Sequence, residues 1–345
     1  LKATIIVVVA LIALAAAAAA GGYYWLQDEF LRPGPTSQAL RVEVEPGTSV
    51  RAVLALLRER GALARPRHIE LFLRLHGRHI KIKAGTYEIP AAASAAEIVD
   101  LLEQGRVVLE AVTIVEGSTF AQLRQQLASD SDVVTTLAGK SDAEVMAVIE
   151  HAGEFPEGRF FPDTYRFAAR STDIEILKLA NTSMQRVLDE EWAERAEDLP
   201  FSTPYEALIL ASIVEKETGL ASERARIAGV FVARLRQGMR LQSDPTVIYG
   251  LGAGYDGELH SRDLTTDTPY NTYTRVGLPP TPIALPGREA LRAAMHPEVS
   301  GDLYFVATGA GDGAHHFSKT LEEHNAAVKQ YLIRLRQAGA AAAPK

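Results

Sequence analysis

The sequence predicts an α+β protein with a single apolar helix at the amino terminus, a small α+β subdomain after it, and a larger α+β domain beyond. Three observations lead there. Residues 3–22 carry no charged side chain and are long enough to cross a bilayer as a helix. Between residues 40 and 105, strand-like alternation brackets two capped amphipathic helices. Beyond residue 107 a short apolar strand leads into a run of helical segments separated by Pro- and Gly-rich loops.

Composition narrows the function classes. A chain of 345 residues with 47% hydrophobic and 23% charged residues has enough apolar surface for two or more cores. The net charge of −7, with no long Lys/Arg block, argues against nucleic acid as a partner. Cysteine is absent, which excludes disulfides, thiolate nucleophiles, Cys-based metal sites and the acylation site of a lipoprotein. Any membrane attachment therefore falls to a helix.

The apolar run is followed by Tyr23, Tyr24 and Trp25, aromatic residues of the kind found at a bilayer interface. Residues 1–26 read as a transmembrane anchor. A cleaved signal peptide is the alternative, since the alanine-rich stretch 13–20 offers small-residue cleavage sites, but the run exceeds the usual signal-peptide core. Lys2 before it and Asp28 and Glu29 after it place the amino terminus in the cytoplasm and the rest outside. Residues 27–39, with Pro33, Gly34 and Pro35, read as a linker.

Residues 41–45 alternate as a strand, Pro46 and Gly47 turn, Thr48 or Ser49 caps a helix to about Arg60, and Pro66 opens a second helix through Leu75. Residues 80–89 return as a strand with a turn at Gly85, and Ser94 caps a helix ending near Gly105. The order strand, helix, helix, strand within residues 40–106 is similar to LysM modules, which bind N-acetylglucosamine-containing glycans. A purely structural spacer has the same order.

Residues 107–114 form an apolar strand leading to VEGST, where Ser118 or Thr119 caps a helix through Leu127. Residues 128–152 read as a polar, helical surface insertion. In FFPDTY, the aromatics beside Asp163 form either a packed corner or a sugar-stacking ledge, and the area that aromatics bring to cores favours the corner. Residues 174–199 read as a long amphipathic helical region. Residues 204–219 form a helix that Pro204 opens and Gly219 stops. Its ASIVEKET stretch sets two carboxylates in an aliphatic run: Leu210, Ile213, Val214 and Glu217 share one side, while Glu215 points elsewhere, nearer Leu208 and Ser212. A carboxyl among aliphatic neighbours loses hydration, its pKa rises, and it can serve as a general acid near neutral pH. A solvated charge ladder over Glu215, Lys216 and Glu217 is the alternative.

A further helix opens at Glu223 and Arg224, with Ile227, Val230, Phe231 and Leu235 as a buried face up to Gly238. The rest reads as loops in which Gln242, Asp244, Asn271 and Tyr273 are candidate binding groups. Caps, Asx turns and loop-holding hydrogen bonds are the alternative role for each. His315, His316 and His324 lie near Glu322 and Glu323 without HExxH spacing, so no metal and no cofactor is expected.

The strings VEGST, FFPDTY, ASIVEKET, GMRLQSDPTVIYG, YNTYTRVGLPP, PIALPG, AAMHP and LYFVA, in that order, resemble the YceG-like family of endolytic murein transglycosylases. The resemblance implies an enzyme of the cell inner membrane, single-pass, with a periplasmic catalytic domain over residues 107–337. It would cut the bond between N-acetylmuramic acid and N-acetylglucosamine inside nascent peptidoglycan strands, leave 1,6-anhydro-muramyl ends and so terminate elongation. The second glutamate of EKET, here Glu217, would be the catalytic acid; for such a reaction the loop residues Gln242, Asp244, Asn271 and Tyr273 are our own candidates for orienting sugar or stabilising charge. The implied partners are glycan strands, the membrane and peptidoglycan synthases. Two other readings stay open: a muramidase-type hydrolase with Glu215 or Asp244 as its second carboxylate, and a non-enzymatic glycan-binding scaffold. Residues 338–345 form a tail to which no chemistry is assigned.

Overall fold

The computed structural model describes residues 2–45 and 47–342, with side chains to residue 337. The chain divides into two compact units: the residues up to Glu110 together with Arg166–Arg170, and Ala111–Tyr165 together with the chain from Ser171 onward.

In the first unit, α1 (Lys2–Leu31) is a single helix whose apolar part has a mean hydropathy of 2.7 and is wholly unburied, while Leu26 and Phe30 near its end are buried. Those two residues, four apart, form a stripe that packs on the unit's core. Residues 27–31, expected as linker, are therefore helical, and the extended segment begins only after Leu31. Next come β1 (Leu40–Val44), α2 (Val50–Glu59), α3 (Pro66–Leu75), β2 (Gly85–Ile89) and α4 (Ala95–Gln104). The two strands pair antiparallel from Leu40 opposite Ile89 to Val44 opposite Gly85, with Val42 and Val44 turned into the core. Ser49 caps α2, and Ser94 with Glu97 forms a capping box on α4. The expected strand over 80–89 shortens to its second half, and the expected turn residue Pro46 lies outside the described residues.

The chain passes into the second unit within β3 (Leu109–Thr113). Thr119 caps α5 (Phe120–Ser129), Ser141 caps α6 (Asp142–Val148), and β4 (Thr164–Ala168) precedes α7 (Asp173–Ala193). Residues 128–152 are not a polar surface insertion. Only α6 and the end of α5 are helical there, and Val133, Leu137, Val145, Met146 and Ile149 are buried, because the polar residues between them hide an apolar set at irregular spacing. The FFPDTY segment is a packed corner: Phe160 is fully buried and stacks on Phe120 at 5.0 Å, and the Tyr165 hydroxyl donates to the Phe161 carbonyl.

Thr203 and Glu206 form the capping box of α8 (Pro204–Glu217), and α9 (Ala221–Arg236) follows. Every residue of α8 from Ala207 to Val214 is buried, so this is the central helix of the unit rather than an amphipathic one. Around it lie α7, α9 and α12 (Arg288–Met295), the last preceded in the chain by α10 (Asp244–Leu251) and α11 (Ser261–Thr265). The antiparallel pair β5 (Tyr304–Ala307) and β6 (His315–Ser318) and the helix α13 (Leu321–Ala342) complete the unit. The expected loop after Ser243 is thus the helix α10, with Pro245 in the first turn, where proline's missing N–H costs nothing.

Candidate active site

Helix α8 ends at Glu217 because Thr218 turns to extended backbone (φ −145°, ψ 135°), its N–H still bonded to the Val214 carbonyl. The Glu217 carboxyl thus stands at the carboxy-terminal end of a buried helix, where the helix dipole also disfavours an anion. It is deeply set yet keeps part of its surface open. Burial is the largest influence and pushes it up to about 7. The Ser243 hydroxyl, donating to Oε1 at 2.6 Å, opposes this, the charge of Asp244 adds to it, and His315 and Arg234 oppose it.

Ser243 sits at the N-cap position of α10, yet its hydroxyl makes no capping bond and turns to Glu217 instead. Neighbours lock it there. Its N–H donates to Thr272 Oγ1 at 3.0 Å, and its carbonyl accepts from Thr246 Oγ1 at 2.7 Å. Arg234 is buried and donates from Nη1 to the Leu241 carbonyl and from Nε to the Leu303 carbonyl, both at 2.7 Å. It therefore pins the segment that delivers Ser243 and puts a cation near Glu217. Gln242, between them, holds φ at +52°, a left-handed conformation that an L residue adopts at a cost of about 1 kcal/mol or more.

The four candidate binding residues fare differently. Gln242 and Asp244 are exposed beside Ser243, and the Tyr273 hydroxyl donates to Asp244 Oδ1 at 2.6 Å, so these three lie together near Glu217. Asn271 does not join them. It is fully buried, its amide donates to the carbonyls of Asp263, Leu264 and Thr266, and its Oδ1 accepts from Tyr273 N–H. With every amide group in use it holds the loop that carries Tyr273 and cannot touch a sugar. Glu215 is not solvated either: its side chain is 6% exposed, and Oε2 accepts at 2.9 Å from Gly287 N–H at the start of α12. Ser212 on the same side of α8 accepts from Ile283 N–H, so this side binds the PIALPG segment.

Reading from sequence missed Ser243, Arg234 and the pair His315–Glu223, in which Nδ1 and Oε2 are 2.8 Å apart. Arg234 carried a signal. It falls seven residues after Ile227, on the buried face of α9, where a charge is out of place unless it is bonded. Glu157 was missed as well: it is buried, accepts from Phe120 N–H and the Tyr249 hydroxyl at 2.9 and 3.0 Å, and burial pushes it up to about 7. Among the described residues, no three His, Asp or Glu side chains group as metal ligands would.

These influences on Glu217 can be separated by mutation. Ser243→Ala removes a donor to the ionised form and should move the alkaline limb of the pH–rate profile to higher pH. Asp244→Asn removes a like charge and should move it lower. The profiles of both variants, read for the position of the limb rather than its height, check the assignment.

A carboxyl pushed up toward neutrality by burial, held by a hydroxyl and flanked by the exposed Gln242 and Asp244, has the chemistry a general acid needs, in an α+β domain. The YceG-like family model matches residues 42–330, and the chain belongs to that family. It is 29% identical over 311 residues to the endolytic murein transglycosylase of Bacillus subtilis, covering 85% of this chain and 85% of that protein. It is 28% identical over 324 residues to the endolytic murein transglycosylase of Streptococcus pneumoniae strain D39, covering 84% of this chain but only 58% of that longer protein. The crystal structure of a YceG-like protein from Listeria monocytogenes superimposes with a TM-score of 0.52 at 28% identity, over 84% of this chain and 99% of that one.

Proposed function

We propose that this chain is an endolytic murein transglycosylase that acts through Glu217. The observation that carries the reading is the deeply set, hydroxyl-bonded carboxyl at the end of α8, pushed up to about 7 by burial, in a member of this family. Protonated Glu217 donates to the glycosidic oxygen between N-acetylmuramic acid and N-acetylglucosamine as oxocarbenium character develops at the muramyl anomeric carbon. The resulting carboxylate, bonded by Ser243 and facing the charge of Arg234, then accepts the proton of the muramyl 6-hydroxyl as that oxygen closes on the anomeric carbon. The product is a 1,6-anhydro end. One acid suffices because no water is activated, and the nearby carboxylates are otherwise engaged, Glu215 with Gly287 and Asp244 with Tyr273. Gln242, Asp244 and Tyr273 form the rim that meets the sugar.

The helix α1 is long and apolar enough to cross a membrane. In this proposal it anchors the protein in the inner membrane, with residues 107–337 on the periplasmic side, beside the synthases whose strands it ends. The LysM-like order of β1, α2, α3 and β2 supports a glycan-holding role for the first unit. Digestion of purified, uniformly long glycan strands tests the endolytic part: strand lengths should shift to intermediate sizes early in the reaction. Early release of disaccharides from otherwise full-length strands would contradict it.

A further inference from the structure

Helix α3 meets α1 in an unusual order. The His68 ring lies 4.8 Å from Trp25, Phe72 stacks on Phe30 at 4.4 Å, and His76, just past the helix, bonds the Tyr23 hydroxyl at 3.1 Å. From His68 to His76 a helix rises about 12 Å. Their partners Trp25 and Tyr23 are two residues apart, about 3 Å of rise along α1. Phe72, between the two histidines, meets Phe30, five residues beyond Trp25, so the contacts do not advance along α1 as they advance along α3, and α3 crosses α1. The contacts fall at Tyr23, Trp25 and Phe30, just past the end of the apolar run.

The face of α3 away from the core is both apolar and basic. Ile69, Phe72 and Leu73 are buried, whereas Leu71 and Leu75 are 46% and 61% exposed, and Arg67 and Arg74 flank them. Beside this face runs a groove of about 1110 Å³ between α2 and α3, lined by Arg51, Arg58, Arg67 and Arg74. Of the two carboxylates that line it, Glu70 is taken by Arg51 and Arg74 at 3.0 and 2.7 Å, and Arg58 and Arg67 have no carboxylate partner among the described residues. The groove is therefore net positive.

We propose that the outer face of α3 and the α2–α3 groove form a docking surface for anionic phospholipid headgroups, with Leu71 and Leu75 set into the bilayer interface and Arg58 and Arg67 on the phosphates. The inference rests on α1 spanning the membrane. A transverse helix at the point of exit lies along the membrane surface, and leucines between arginines are the side chains an interfacial helix presents there. Each arginine near an anionic surface adds to the attraction, and salt screens it. The first unit is thereby held flat against the bilayer rather than swinging on its anchor.

The absence of cysteine gives a clean probe. The full chain carrying Leu71→Cys, labelled with an environment-sensitive dye, is reconstituted in phosphatidylcholine vesicles with or without phosphatidylglycerol, with a nitroxide quencher at headgroup depth. The expected result is strong quenching in the phosphatidylglycerol vesicles, falling by at least half in phosphatidylcholine alone, in molar salt, and when Arg58→Glu and Arg67→Glu are added, with the melting temperature unchanged. Equal, weak quenching in both vesicles, from a chain that resists alkaline carbonate extraction, would overturn the docking surface and leave the anchor standing. Release by carbonate would overturn both.

Discussion

Glu217→Gln should lower the rate of strand cleavage by at least about 10²-fold, the contribution general acid catalysis typically makes, because the amide keeps the shape and cannot donate the proton. The same variant should be more heat-stable than the parent at alkaline pH. Glu217 is held at about 7 in the folded chain against an ordinary value of 4.5, so between those values the native state keeps a proton that the unfolded chain has released. Its contribution to stability is present in full below 4.5 and is lost as pH rises through about 7. Glu157, also pushed up to about 7, acts in the same direction, so the parent's melting temperature should decline across this window. The neutral amide of the variant removes one of these titrating groups, and the decline should be shallower. An inactive variant whose melting curve follows the parent at every pH would mean that the carboxyl is not buried as described.

Gly229→Ala is expected to be the most damaging small substitution in the second unit. Gly229 lies in the buried middle of α9, where alanine would ordinarily gain about 1 kcal/mol of helix propensity. A Cβ there would collide with the Glu298 carbonyl oxygen, a backbone atom of a segment tied to α9 by the bond from Glu298 N–H to the Ala225 carbonyl at 2.9 Å. Either α9 or that segment must shift, and overpacking of this kind costs about 1–3 kcal/mol, roughly 2–4 °C of melting temperature per kcal/mol in a unit this size. Gly219→Ala, which meets nothing within 4 Å among the described residues, is the control that should leave the melting temperature in place. Thermal melts of the two variants decide it.

What was legible in the sequence is what short-range chemistry determines. Ser49, Pro66, Ser94, Thr119 and Pro204 each mark the start of a helix that forms within a residue or two of the expected place, because a cap or an N1 proline acts on its own backbone. The burial of Glu217 was legible for a similar reason: the helical period sets it on the side of Leu210, Ile213 and Val214, which is packed. What depends on tertiary placement was not. Helix α10 has only two turns and begins with Asp244 and Pro245, so its local signal is that of a loop. Its docking beside α8 is what turns the Ser243 hydroxyl from a cap into a partner for Glu217. Asn271 misled because a polar residue in a Pro- and Gly-rich loop looks the same in sequence whether its amide faces a ligand or three carbonyls of its own loop. Strand β4 was overlooked although Tyr165 and Phe167 alternate inward, because its aromatic residues drew the reading toward a cluster.

The central claim, that Glu217 drives an intramolecular ring closure rather than attack by water, is tested most directly by the fate of solvent oxygen. Purified peptidoglycan strands are digested by the full chain in heavy-oxygen water, and the newly formed muramyl ends are weighed before and after borohydride treatment. If the muramyl 6-hydroxyl is the nucleophile, the new ends carry no heavy oxygen, are lighter by one water than hydrolysis products, and are not reduced by borohydride. Labelled, reducible ends would contradict it: water would then be the nucleophile, and a carboxylate now bonded to Gly287 or Tyr273 would have to serve as its base.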